Sequence, residues 1–389
     1  VRKTVEKLLL FVVVMTSFVL FSSCEGAGTE LSELMIMQGI GIDVIDDGYS
    51  VCVEILNNEQ SGSPSGDSNS ENKTKIYSAN GETVAKALNS LVTKSGNLPL
   101  YAHNRVIVVG EKAANSNLSD ILDFFERDYD SRPSQLICVA KNATAEEVVR
   151  AKLLPDAVKS EILENLLEES YNQSLTPRVR IIDAVNYMKD ETTILAIPAI
   201  KIQQSGENEN YELDGCALVG KDKSFSGYID SETAEGIAFL NNKIKKGEIT
   251  ATLPNSQKAT FLINKGKTKY RIYEENNTLH YDVSVEISCD LDEVEGEEFF
   301  SADDGVLETF QTSAGEAVLK KAENTLVVLQ GEHLGDAVRF GKLLRLKEPE
   351  LYKKYKDNWE ASFKNIKVSL SADVTIRRIG EETFHSKKK

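Results

Sequence analysis

"TLHYDVSVEISCD" (residues 278–290) alternates apolar and polar residues without a break, through Leu279, Tyr281, Val283, Val285, Ile287 and Cys289. A period of two places every second side chain on the same face of a β-strand. A long strand with one apolar and one polar face belongs to an antiparallel sheet that is open to water on one side. Parallel strands, covered on both faces, read as continuous apolar runs. Working outward, "DGCALVG", "SFSGYID", "EITATL", "KATFLIN" and "TKYRIYEE" read as successive strands before it. After it, a helical stretch runs from about Gly305 to Phe363, broken near Gly331 and Pro349. "IKVSLSADVTIRRIG" then alternates again through Val368, Leu370, Ala372, Val374 and Ile376. Strands, then helices, then a returning strand make an α+β region.

Nearer the N-terminus the pattern is different. "YSVCVEIL" (residues 49–56), "RVIVVG" (105–110), "QLICVA" (135–140) and "TTILAIPAIKI" (192–202) read as strands. Helical spacing separates them: Val84, Leu88 and Leu91; Leu118, Ile121, Leu122 and Phe125; Val158, Ile162, Leu166 and Leu167. Thr144 with Glu147 makes a capping box for a helix ending near Leu154. "GIGID" (residues 39–43) has two glycines but no third, and reads as a strand-edge bend. The whole is a mixed α/β chain: an N-terminal α/β region, 24–202, and a C-terminal antiparallel-sheet-plus-helices region, 211–380. A further division near 265–290 would make three domains. "QQSGENENYE" (residues 203–212) reads as the boundary. Residues 57–75 lack any aliphatic side chain between Asn57 and Lys73 and read as a flexible loop, and 381–389 as a polar tail.

The first residues stand apart. Arg2, Lys3 and Lys7 precede an apolar run from Leu8 to Phe21, followed by Ser22, Ser23 and Cys24. The run is short for a permanent transmembrane helix, which takes about 20 apolar residues. Small residues ahead of a cysteine resemble a bacterial lipoprotein signal, so 1–23 is expected to be a signal peptide and Cys24 a lipidated N-terminus. Phe21 stands where such signals usually have Leu. An ordinary secretory signal with an incidental cysteine is the plainer alternative. Val1 suggests a non-ATG start codon or a trimmed N-terminus. The chain carries a net charge of −16, and the leader +2, which leaves −18 for the remainder. Such acidity argues against nucleic acid, whose phosphates are bound by Lys and Arg. Attachment to a membrane would fall to the lipid.

Residues that carry chemistry are few. Cys52, Cys138, Cys216 and Cys289 are far apart among aliphatic neighbours and read as buried structural thiols. With His103, His280, His333 and His385 they show no metal-ligand spacing, so no metal or other cofactor is expected. Asp67, Asn69 and Glu71 open like a calcium loop, but Asn72 and Ser78 stand where it needs Gly and Glu. Paired carboxylates elsewhere read as solvated faces, and "EVEGEE" (residues 293–298) as an exposed loop and not a metal cage. His103, Arg105 and Arg132 lie in "LYAHNRVIVVGEKAANSNLSDILDFFERDYDSRPS" (residues 100–134) with no nucleophile motif beside them. They are expected to serve structure or a partner interface, not catalysis. Tyr355, Trp359 and Phe363, spaced i, i+4, i+8, either face the core or present Trp359 as an interface anchor.

That 100–134 stretch resembles the C subunit of GerA-type nutrient germinant receptors of spore-forming Firmicutes. So do "ELSELMIMQGIGIDVIDDGYSV" near the start, "DGCALVGKDKSFSGYIDSETAEGIAFLNNKIKKGEI" in the middle, and "AVRFGKLLRLKEPELYKKYKDNWEASFKNIKVSLSADVTIRRIG" near the end. The resemblance covers nearly all of the chain after the leader, in the same order, and departs at "CEGAG", where relatives usually carry a Trp-Asp pair. It implies three α/β-type domains and a lipid anchor at Cys24. It also implies residence on the outer face of the spore inner membrane, and two polytopic partners, the A and B subunits. Members take part in sporulating bacteria's response to nutrients, which leads to ion and dipicolinate release and then cortex hydrolysis. A non-catalytic signalling or scaffold role is the expectation. The rival is a solute-binding lipoprotein that captures the germinant itself. Such proteins are usually two parallel-sheet lobes around a cleft, which the alternation at 278–290 does not match.

Overall fold

The computed structural model describes residues 33–57, 73–116, 118–128, 130–153, 157–220, 225–296, 304–331, 335–379 and 382–383. The expected leader with Cys24, most of the loop 57–75 and most of the tail 381–389 lie outside the described residues.

Chain order begins β1 (Leu34–Ile45), β2 (Gly48–Leu56), β3 (Thr74–Gly81), α1 (Val84–Ser90), α2 (Val92–Ser95), β4 (Leu98–Leu100) and β5 (Val106–Gly110). It continues α3 (Glu111–Ser116), α4 (Leu118–Arg127), β6 (Leu136–Ala140), α5 (Ala145–Arg150), α6 (Lys159–Asn172), α7 (Ile181–Met188), β7 (Leu195–Ser205), β8 (Asn208–Val219), β9 (Phe225–Ile229) and α8 (Ser231–Leu240). The second part holds β10 (Glu248–Thr252), β11 (Lys258–Glu275), β12 (Thr278–Val294), α9 (Asp304–Gly331), α10 (Phe340–Lys347), α11 (Pro349–Tyr355), α12 (Trp359–Asn365), β13 (Lys367–Ile379) and β14 (Glu382–Thr383).

The first sheet runs β3-β2-β1-β5-β6-β7-β8-β9, with β4 beside β1. Its centre, β1-β5-β6-β7, is parallel, and antiparallel hairpins extend both sides. β5 and β6 are buried at every residue because helices cover both faces. Ile107, Val109, Ile137 and Val139 join a core with α1, α4 and α7, while Val106, Val108, Leu136 and Cys138 join another with α5 and α6. The apolar stripe of α4 is buried at Leu118, Ile121, Leu122 and Phe125, as its spacing requires. The Thr144–Glu147 capping box forms, although the helix ends at Arg150.

"GIGID" departs from expectation. It lies mid-strand in β1, paired to β2 on one side and β5 on the other. A Cβ at Gly39 would sit 2.0 Å from Ser160 Oγ, and one at Gly41 2.9 Å from the Ala145 carbonyl oxygen. The glycines admit α6 and α5 close to the strand.

In the second sheet, β10-β11-β12-β13-β14, β12 buries all six of its alternating apolar residues. "KATFLIN" and "TKYRIYEE" merge into the single strand β11, since the bulge between Ile263 and Lys265 bends the pairing with β12 without ending it. β13 departs from an antiparallel meander and lies parallel to β12. Parallel neighbours need a long crossover, and the helices between residues 304 and 365 supply it. α9 spans the sheet with Phe310, Ala314 and Val318 against Phe261, Val285 and Ile287.

Residues 203–212 form the β7–β8 hairpin, so β8 and β9 complete the first sheet. One hydrophobic core then takes Cys216, Leu218 and Ile229 from that sheet, Ile237 from α8, and Tyr281, Phe340, Trp359 and Phe363 from the second part. The two sheets share it.

Candidate functional site

The charged stretch at 100–134 is a knot between strands. Tyr101–His103 is a single 3-10 turn ahead of β5. The Gln135 side chain donates to the Tyr101 carbonyl (3.0 Å) and accepts from Asn104 (3.2 Å), which ties the entry of β5 to the entry of β6. Arg105 donates through Nε to Gln38 (3.1 Å) and pairs through Nη1 with Glu164 of α6 (2.5 Å). His103 and Arg132 are exposed and have no side-chain partner among the described residues. His103 and Arg105 lie at the entry of β5 and Arg132 in the loop before β6, and Trp359 lies elsewhere.

Trp359 is 5% exposed, in the core shared by the two sheets. Its indole N–H donates to Asp336 (3.2 Å). The same carboxylate accepts the backbone N–H groups of Phe340 (2.9 Å) and Gly341 (2.7 Å), the first turn of α10. Arg339, the residue before the helix, has a left-handed backbone (φ 64°) and gives no side-chain cap, so Asp336 supplies the acceptor from outside. Burial pushes Asp336 up to about 7 despite these donors.

Two more carboxylates do the same in the first sheet. Asp43 at the end of β1 accepts from the amides of Ala145 (2.8 Å) and Glu146 (3.0 Å) at the start of α5, while burial raises its pKa. Glu54 of β2 is 0% exposed and accepts from the amides of Lys159 (3.0 Å) and Ser160 (2.7 Å) at the start of α6. Thr74 and Ser160 hydroxyls complete its set. The sequence does not single out these three acids, which hold helix N-termini, where the backbone leaves donors unpaired and the dipole favours negative charge. Among the described residues, Cys52, Cys138, Cys216 and Cys289 are buried free thiols, with burial pushing Cys52 up to about 11 and Cys289 to about 12.

A cavity of about 160 Å³ opens where α6, α7, α8 and the start of α10 meet. Arg180 caps α7 and holds Asp183 through two bonds, 2.7 and 3.1 Å. Arg178 pairs with Glu168 (2.8 Å). Arg339 enters from the second part, its guanidinium 4.4 Å from the Tyr187 ring centroid, and burial lowers its pKa. Thr176 Oγ1, Asn241 Oδ1 and Arg339 Nε are buried there without a hydrogen-bond partner. Sequence reasoning missed this cavity. The basic pair in "TPRVR" was its one local signal; Asn241 and Arg339 come from distant segments.

Two sheets fused through one core, with buried acids committed to helix ends, define an α/β scaffold with a polar cavity at its junction. The chain belongs to the GerAC/GerBC-like spore germination protein C subunit family. Residues 28–202 match the spore germination protein N-terminal domain, and 214–380 the spore germination B3/GerAC-like C-terminal domain. It is 24% identical to spore germination protein KC of Bacillus subtilis (strain 168), over 97% of each chain. It is 24% identical to spore germination protein B3 of the same organism, over 86% of this chain and 88% of that one. The crystal structure of the GerBC protein has the same fold, with a TM-score of 0.58 at 22% identity, over 89% of this chain and 99% of that chain. The family is one not known to be catalytic. Among the described residues no helix is long and apolar enough to cross a membrane.

Proposed function

We propose that this chain is the lipid-anchored C subunit of a nutrient germinant receptor, acting by contact and not by catalysis. The observation that carries the reading is the end-to-end match with spore germination protein KC, which leaves no large part of either chain unmatched. Asp43, Glu54 and Asp336 are committed to helix caps and Cys52, Cys138, Cys216 and Cys289 are buried, which suits a scaffold. In this reading Cys24 carries the lipid on the outer face of the spore inner membrane. The polytopic A and B subunits are the partners, and His103 and Arg132, free at the surface, are candidate contact residues. Confinement to one membrane raises effective concentration, so modest patches suffice. We divide the body between residues 202 and 211, with β8 and β9 as the strands both halves use.

The test is a Cys24→Ala chain expressed in sporulating cells. The expected result is an unprocessed precursor that takes up no fatty-acid probe and no longer co-purifies with the polytopic subunits. Normal maturation with undiminished labelling would end the lipoprotein reading. Co-purification of the wild type with no polytopic protein would end the receptor reading.

A further inference from the structure

The cavity between α6, α7, α8 and α10 holds more positive charge than its neighbours neutralise. Arg180 and Arg178 are matched by Asp183 and Glu168. Lys243 at the rim and Arg339 inside have no acidic partner within ion-pair distance among the described residues. Buried polar atoms nearly always find a partner, and leaving one unpaired costs about 1–3 kcal/mol. Here three unpaired atoms, from segments far apart in sequence, converge on one space: Arg339 Nε, Thr176 Oγ1 and Asn241 Oδ1. Thr176 is 2% exposed.

The three atoms ask for different things. An N–H of Arg339 needs an acceptor, the amide oxygen of Asn241 needs a donor, and the Thr176 hydroxyl takes either. Ordered water would satisfy the three atoms one by one, but it adds no negative charge: Asp183, which Arg339 feels at longer range, is already held by Arg180. Asn241 is the C-cap of α8, where the helix dipole is negative, so it favours a donor and repels an anion. We propose that this cavity binds a small oxyanion that also carries a hydrogen-bond donor. Its oxygens face Arg339 and its donor faces Asn241. The volume of about 160 Å³ is comparable to a cavity of roughly 150 Å³ that accepts benzene, so a ligand of small-metabolite size fits. Small hydroxy- and amino-carboxylates fit this description, and so does protonated inorganic phosphate. The inference does not rest on the receptor reading.

Calorimetric titration of the full chain, purified in detergent, with lactate, glycine, inorganic phosphate and acetate tests it. Saturable binding is expected for at least one of the first three, with acetate, which lacks the donor, weaker. Binding of phosphate alone would assign the inorganic source; binding of lactate or glycine, the organic one. Arg339→Gln should weaken the bound ligand by about 10–100-fold, the value of a charge-assisted bond. Its ligand-free melting temperature should stay near that of the wild type, because Asp183 keeps its bonds to Arg180. Should that variant fail to fold, Thr176→Val decides: it keeps shape, and it should weaken whichever probe the wild type binds, since it removes one of the three polar partners. Heats of dilution alone with all four probes, or affinity unchanged in the Arg339 and Thr176 variants, would overturn the proposal.

Discussion

At the scale of single residues, Asp336 and Trp359 form a latch: one carboxylate receives two backbone amides and one indole. Trp359→Phe keeps most of the ring but leaves a buried carboxylate one donor short, a loss of about 1.5–3 kcal/mol for a bond to a charged group. Trp359→Ala should lose roughly 3–5 kcal/mol through the cavity left behind. Urea unfolding of the two variants measures the difference; near-wild-type midpoints for both would make the latch ornamental. The pH dependence has a definite sign. Asp336 titrates near 7 in the folded chain against 3.8 ordinarily. Its contribution is therefore full below about pH 4 and is lost as pH rises through about 7. The stability margin of wild type over Asp336→Asn, which does not titrate, should shrink across that window. A margin that widens would contradict the burial argument.

At the scale of elements, legibility followed the source of order. The period-two pattern of β12, the apolar runs of β5 and β6 and the stripe of α4 were readable because apolar burial alone fixes them. α6 was so only in part. Leu167 is buried and Leu166 packs beside it as expected, but Ile162 is 38% exposed, and Ser160, Leu163 and Ser170, outside the expected face, are buried. Polar contacts from Glu54 and the space above Gly39 set the rotation of that helix, and no hydrophobic period reports them. Gly39→Ala should push the Ser160 hydroxyl off Glu54, at about 1–3 kcal/mol for an overpacked core. Denaturant unfolding checks this, and an unchanged midpoint would show that α6 can retreat freely. The cavity was unreadable for a related reason, since Thr176, Asn241 and Arg339 meet only in the folded chain.

For the molecule as a whole, the shared core matters more than the number of sheets. Ile229 and Leu218 of the first sheet pack with Phe340 and Trp359 of the second part. A cut at the β7–β8 hairpin would strip β8 and β9 from the first sheet and open that core. Calorimetry of the intact chain should therefore show one cooperative transition, not one for each half. Two transitions that separate cleanly with denaturant would mean the shared core is weak.

The parallel pairing of β12 with β13 also governs how the chain is made. β12 leaves the ribosome with β11 already beside it, yet its other edge waits for a strand that follows all the helices between residues 304 and 365. At roughly 5–20 residues per second, that edge stays bare for several seconds in each round of synthesis, an open template for a neighbouring nascent chain. A stop codon after Ile366 would make the exposure permanent. It would remove the partner running from His280↔Lys367 to Leu291↔Ile379 while leaving most of the chain intact. Such a truncated product is expected in inclusion bodies or in the hands of chaperones, and fractionation of expressing cells would reveal it. Soluble, monomeric product would mean that α9 alone shields the edge.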